Sequence, residues 1–281
     1  ETGAFWYTGS RSHRWRLILE SLGTKNWIAE WMYQKIADPR YFAGIGQDVV
    51  EMAVLDLLRQ GAFPVVLNDL IALAEDRWCE DETRSHAIAE SFYRACEMNS
   101  MAFTGGETPA LRLLVRSTYP VTDAPVFACA AVGIIAPTER EVLPKVHAGA
   151  RIVGVASSGP HANGYSLLIK RGLTLKDQFF HEIEPGLTFG EAALKPTCSY
   201  VRFMERALEV IHPLAVAPST GGGLGKLAAD RKPFTYVTES WPMVIPPIFQ
   251  FLRQIGVPIG DCLSTFNWGI GLFIFVPEHS A

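Results

Sequence analysis

The residues best suited to chemistry sit in short glycine-bearing runs. Residues 156–168 read Ala-Ser-Ser-Gly-Pro-His-Ala-Asn-Gly-Tyr-Ser-Leu-Leu, which sets Ser158, His161 and Asn163 between an apolar run at 152–156 and a helical pattern from Tyr165. The order is strand end, loop, helix start. Such a loop leaves backbone N–H groups at a helix entrance, where the dipole favours a phosphate or another anion. Taken alone, the plainer reading of a tight turn weighs more, because short glycine patterns recur without a ligand. His161 is the one histidine to nominate for function, although a lone loop histidine is more often structural.

Acidic residues form a second group. Glu20 ends the short apolar run 17–19, and Gly23-Thr24-Lys25 follows at once. A carboxylate at a strand end with a lysine just beyond it suits a metal and phosphate site, and equally an ordinary surface turn. Asp48 and Asp56 lie eight residues apart on a broad apolar helical stripe, hence on roughly similar faces about 12 Å apart along the axis. Aspartate beside an apolar face needs a metal, a partner or a cap. An N-cap role for Asp48 is nearly as good as metal binding. Asp69 closes the strand at 63–67, and Gly105-Gly106-Glu107 follows the strand at 102–104.

Several chemistries are excluded. Gly221-Gly222-Gly223 is not a Walker loop, because only three residues separate Gly221 from Gly225 and Leu227 stands where a hydroxyl is needed. The spacing of a dinucleotide fingerprint is also missing. Histidines pair at no zinc-like interval, and there is no G-x-S-x-G elbow.

Six motifs recur in a fixed order: Leu22-Gly23-Thr24-Lys25, Gly105-Gly106-Glu107-Thr108, the loop 156–168, Leu194-Lys195-Pro196-Thr197, Thr220-Gly221-Gly222-Gly223-Leu224 and Phe266-Asn267-Trp268-Gly269-Ile270-Gly271, with the apolar segment 45–58 between the first two. From about residue 20 to residue 276 the chain resembles the aminoimidazole ribonucleotide synthetase family, also called phosphoribosylformylglycinamidine cyclo-ligase. The resemblance implies a two-domain α/β fold, with residues 1–140 forming an ATP-binding and dimerisation domain and 141–281 a second α/β domain. It implies ATP and Mg²⁺ as cofactors, a small ribonucleotide as substrate and a homodimer. The reaction is ring closure of formylglycinamidine ribonucleotide, in which ATP phosphorylates the amide oxygen and so turns a poor leaving group into a good one.

Carried over position by position, the resemblance puts metal ligands at Glu20, Asp48 and Asp56. Nucleotide contacts fall on Gly23, Thr24, Lys25, Asp69, Gly105, Gly106 and Glu107. The catalytic set is Lys25, Asp69, Glu107 and His161, and substrate contacts fall on Ser158, His161, Asn163, Gly221, Gly222 and Gly223. Departures accompany the matches. Glu20 and Ser21 replace a family Asp-Gly, Leu55 replaces an asparagine, Pro218 stands where a histidine precedes the triple glycine, and the glycine-rich segment ahead of the first motif is missing. Restoring Leu55→Asn and Pro218→His is expected to raise turnover, with Glu20→Asp adding less. Two classes of function follow: the cyclo-ligase or a superfamily relative using ATP on another substrate, and a binding or assembly protein that keeps the fold with little catalysis.

The elements that position these residues alternate strand and helix. Strands are expected at 17–19, 63–67, 102–104, 126–136, 151–156 and 268–276, and helices at 27–36, 48–60, 82–98, from Tyr165 and at 198–212. Residues 5–16 show no clear period. A chain of 281 residues, 48% hydrophobic and 19% charged, buries a substantial core. Its net charge of −4, with Lys and Arg scattered, excludes a nucleic-acid partner. The longest apolar run, 126–136, is shorter than the roughly 20 residues of a membrane span. Five widely spaced cysteines without a C-x-x-C pair fit reduced thiols in a cytoplasmic protein.

Overall fold

The computed structural model describes the backbone of residues 4–6 and, in full, residues 12–228, 232–239, 241 and 244–278. Five strands, β1 (Ala4–Trp6), β2 (Arg14–Ser21), β3 (Phe63–Ala72), β4 (Ala102–Glu107) and β5 (Val126–Ile135), form one sheet in the order β1-β2-β5-β3-β4. All neighbours are antiparallel except β3 and β4. Helices α1 (Lys25–Ile36), α2 (Ile45–Leu58) and α3 (Glu82–Met98) belong to this half, and α2 packs on β2, β5 and α3. Alternation along β2 explains the arrangement: Arg16 and Ile18 turn inward, while Leu17 and Leu19 face out. Val49, Val50, Ala53, Val54 and Leu57 give α2 an apolar surface wide enough to be buried almost throughout. At Gly46 the backbones of α2 and α3 meet so closely that a Cβ would overlap the amide of Phe92.

The second sheet has the order β6-β10-β9, with β6 (Arg151–Ala156), β9 (Ala215–Pro218) and β10 (Ile270–Val276) all antiparallel. Between them run α4 (Tyr165–Gly172), a small hairpin β7 (Glu182–Glu184) and β8 (Leu187–Thr188), α5 (Phe189–Ala193) and α6 (Val201–Val210). Helices α7 (Pro247–Gln254) and α8 (Ile259–Thr265) precede β10. Every residue of β10 is buried, so both faces of this central strand are covered. One apolar cluster runs through both halves. Trp31 of α1 packs on Phe179 with ring centroids 4.9 Å apart, and Phe179 leads through Phe189 to Phe251. The sheets fall on either side of residue 140, whereas the core is continuous.

Some boundaries differ from the sequence expectation for identifiable reasons. Strand β2 starts at Arg14, because Arg16 is accommodated inside the fold by Gln60 and Glu141, to both of which it donates. Strand β3 continues through Asn68 and Asp69 to Ala72, since β4 and β5 pair with it there. Helix α6 begins only at Val201, because residues 195–200 are engaged as a strap, described below. Tyr7, in the unassigned stretch, lies outside the described residues.

Candidate functional site

Strand register builds the acidic wall of the site. Cys129 on β5 pairs with Glu20 on one side and Asp69 on the other, so the three side chains share one face. Two inter-strand steps separate the backbones of Glu20 and Asp69 by about 10 Å. Asp56 of α2 lies close to Glu20: burial first, then the neighbouring Asp56 carboxylate, push Glu20 up to about 7. Two carboxylates this close require a proton or a cation between them. Burial also raises Asp69. Opposite Asp69 lies Gly106, where a Cβ would run into the carboxylate, so glycine is required. Glu107, the next residue, is exposed at the end of β4. Cys129 donates to the carbonyl of Val49 at 3.3 Å, and burial pushes its thiol up to about 12.

Asp56 also reaches the second half. With Arg59, Pro218, Thr220 and Lys226 it lines a cavity of about 40 Å³, and Lys226 acts electrostatically on Glu20. The triple glycine follows: Gly221 and Gly222 are exposed, while Gly223 is buried at the start of a short 3-10 helix. A Cβ on Gly221 would lie 3.5 Å from Asn163 Oδ1, which puts Asn163 beside this turn. Asn163 Nδ2 is buried without a hydrogen-bond partner among the described residues, as is Ser219 Oγ.

Lys25 and Asp48 stand elsewhere, buried against each other. Lys25 is 0% exposed. Its Nζ lies 2.7 Å from Asp48 Oδ2 and donates to the carbonyls of Lys195 at 2.7 Å and His161 at 2.9 Å. Asp48 Oδ1 accepts from Thr197 N at 2.9 Å and Thr197 Oγ1 at 2.6 Å. Burial lowers the Lys25 pKa and raises that of Asp48, while their contact favours both charges. Neither faces a nucleotide or joins Glu20 and Asp56, because eight residues turn a helix by about 80° beyond two full turns. Only the exposed Gly23 and Thr24 of that motif are open, and no side-chain cap bond engages Thr24 at the entrance of α1.

The 156–168 loop is also pinned. Ser158 Oγ donates to Pro196 O at 2.6 Å and accepts from Cys198 N at 3.1 Å, so it is not free for substrate. His161 is wholly buried, 3.2 Å from the Tyr200 hydroxyl through Nε2, and burial followed by the charge of Lys25 lowers its pKa to about 3. The imidazole is therefore neutral and enclosed in this structure. Asn267 closes the loop from the other side: Nδ2 donates to Gly159 O at 2.7 Å, while Oδ1 accepts from Ser157 Oγ and Gly269 N.

Sequence reasoning missed the strap 195–200 as a whole. Alternate groups along it bond to α2 and α3 on one side, through Gln47, Asp48 and Asn99, and to the loop on the other, through Ser158, His161 and Ala156. The dense run Lys-Pro-Thr-Cys-Ser-Tyr was its only signal. Lys226 had none, since one lysine after a glycine turn reads as solvated. Leu55 lies fully buried in the apolar core and not in the cleft, whereas Pro218 does line the cavity. Among the described residues no group of three His, Cys, Asp or Glu side chains could hold a metal ion by itself.

This architecture, with an acidic strand row facing a glycine turn from a second sheet, is that of the AIR synthase-like fold. Solved structures share it: AaThiL complexed with AMPPCP and TMP matches with a TM-score of 0.66 at 17% identity, covering 100% of this chain and 80% of that one. The hydrogenase maturation protein HypE in complex with ATP matches with a TM-score of 0.66 at 20% identity, over 99% of this chain and 71% of that one. The family described as AIR synthase related protein, N-terminal domain, matches residues 29–135. A phosphoribosylformylglycinamidine cyclo-ligase of Neisseria meningitidis is 32% identical over 242 residues, 84% of this chain and 67% of that protein. One from Thermococcus kodakarensis is 31% identical over 265 residues, 94% of this chain and 72% of its own length. The chain therefore belongs to the phosphoribosylformylglycinamidine cyclo-ligase, or AIR synthetase, family.

Proposed function

We propose that this protein is an ATP-dependent cyclo-ligase of purine biosynthesis that closes formylglycinamidine ribonucleotide to aminoimidazole ribonucleotide. The observation that carries the reading is the acidic group of Glu20, Asp56 and Asp69, with Asp56 sharing a cavity with Thr220 and Lys226 from the glycine turn of the second sheet. Its support outside the cleft is the naming of its relatives and the nucleotides held by HypE and AaThiL.

Magnesium fits the acidic wall, because Mg²⁺ is bound through one or two carboxylates plus substrate phosphates and not by a full protein cage. Glu20 and Asp56, already close enough to share a proton, would hold it, with Asp69 on the same face. When bound, the metal offsets charge gathered on the phosphates. The entrance of α1, with Gly23 and Thr24 exposed, offers N–H groups to a phosphate. Asn163 Nδ2 and the Gly221-Gly222 turn supply donors for the ribonucleotide. Glu107, exposed at the strand end, remains available to orient a reacting nitrogen.

The outer face of the first sheet, with Leu19 75% exposed beside Leu17, Leu70 and Val126, is the surface on which a second copy would pair. Five free cysteines suit a cytoplasmic setting, and among the described residues no helix is long and apolar enough to cross a membrane. Calorimetric titration of ATP with and without magnesium tests the acidic wall. Asp56→Asn is expected to remove most of the magnesium-dependent gain in affinity, and an unchanged gain would count against it.

A further inference from the structure

We infer that Lys25 and Asp48 are positioning residues, whose buried ion pair fixes the 156–164 loop and thereby holds Asn163 beside the Gly221 turn. The inference rests on the reading that the ribonucleotide uses the Asn163 side of the cleft. Its first support is saturation. An ammonium has three donors; two go to Lys195 O and His161 O, and Asp48 Oδ2 lies 2.7 Å from Nζ as the counter-charge, so the wholly buried group is turned towards protein partners and away from solvent. Asp48 Oδ1 is taken by the amide and hydroxyl of Thr197. The side-chain hydrogen bonds of the pair outside itself go to the loop and the strap, and Lys25 Nζ also lies 5.6 Å from the ring centre of Tyr165 at the start of α4.

The second support is backbone conformation. His161 has φ 58, a left-handed value that non-glycine residues seldom adopt. Its carbonyl accepts from Lys25 Nζ at 2.9 Å, while the nearby Tyr165 hydroxyl has one proton to divide between this carbonyl and that of Ala193. Its ring rests against Tyr200 and close over Gly271, where a Cβ would strike both. Asn163 follows two residues later. Loss of the lysine contact leaves the left-handed His161 peptide without its ammonium donor and Asp48 as a buried carboxylate with no counter-charge, which loosens one of the ties that pin the loop. Sequence places these groups far apart: residue 25 with 161 and 195, and residue 48 with 197. The pair thus transmits the position of α1 and α2 to the loop.

The test combines Lys25→Met, Asp48→Asn and both together with the milder Thr197→Val, which keeps the backbone donor and removes only the hydroxyl. Hydrogen exchange over residues 159–164 and calorimetric affinity for Mg-ATP are read on each, and KM for formylglycinamidine ribonucleotide where turnover is present. The single charge variants are expected to speed loop exchange at least about tenfold and raise that KM by a similar factor, with Mg-ATP affinity changed less than about twofold. The double variant is expected to lose less than the product of the single losses, since neither charge is left unpaired. Should the charge variants fail to fold, Thr197→Val decides, with loop exchange about threefold faster and nucleotide affinity intact. Loss of Mg-ATP affinity with unchanged loop exchange would overturn the inference and return Lys25 to the phosphates. Absence of turnover in the parent protein counts against the proposed function alone, because loop exchange needs no substrate.

Discussion

Glu51 carries a cost that pH can expose. The side chain is wholly buried on α2; Oε1 accepts from Asn99 Nδ2 at 2.7 Å, and Oε2 has no hydrogen-bond partner among the described residues. Burial, partly offset by Asn99 and increased by the charge of Asp48, pushes its pKa from 4.5 up to about 8. The folded chain thus keeps a proton that the unfolded chain releases, and the linked stability is fully present below pH 4.5 and lost as pH rises towards 8. At about 1.4 kcal/mol per unit, the interval up to pH 7 is worth about 3 kcal/mol. Glu51→Gln keeps the acceptor for Asn99 and cannot ionise. Urea unfolding at pH 5, 7 and 8 should show the variant close to the parent at pH 5 and more stable by about 3 kcal/mol at pH 7, with a larger gap at pH 8. Glu30, pushed up to about 7 by burial, bends both curves in the same direction and drops out of the difference. A gap independent of pH would refute the reasoning.

The departures from the family pattern separate into two kinds. Pro218→His, at a position that lines the cavity with Asp56, is expected to raise turnover by about tenfold or more; steady-state kinetics checks it. Leu55→Asn now carries the opposite expectation, because burying an amide in place of a core leucine costs about 3 kcal/mol or more, read as a lowered melting temperature without a gain in rate. On the outer face of the first sheet, Leu19→Glu is expected to convert a dimer to monomers in sedimentation at micromolar concentration, with the melting temperature of the monomer little changed.

How much of this could be read from the chain depends on the range of each interaction. Helix α3 is legible end to end, because the period over residues 82–98 is local and Asp81 caps it by accepting from Arg84 N. The sequence pattern shows β2 only from residue 17, three residues after its true start, since Arg14 and Arg16 look like surface residues until Gln60 and Glu141 are brought to them. Strand register sets Glu20, Cys129 and Asp69 on one face with Gly106 opposite Asp69, and α2 brings Asp56 towards Glu20, pairings that motif order does not show. Motif order could not tell a lysine that meets a phosphate from one that meets Asp48, because both stand after the same Gly-Thr and the difference is made by carbonyls at His161 and Lys195. His161 and Ser158 were misread for the same reason: a polar residue in a glycine loop looks available until the strap closes on it.

Turnover of formylglycinamidine ribonucleotide with Mg-ATP, followed by ADP release together with aminoimidazole ribonucleotide, is the most direct measurement. One ADP per ring closed, at a rate that falls sharply in Asp56→Asn and responds to Pro218→His, is the expected result. Tight Mg-ATP binding with no ring closure, in the parent and in Pro218→His alike, would contradict the cyclo-ligase and leave a nucleotide-binding protein that has kept the fold.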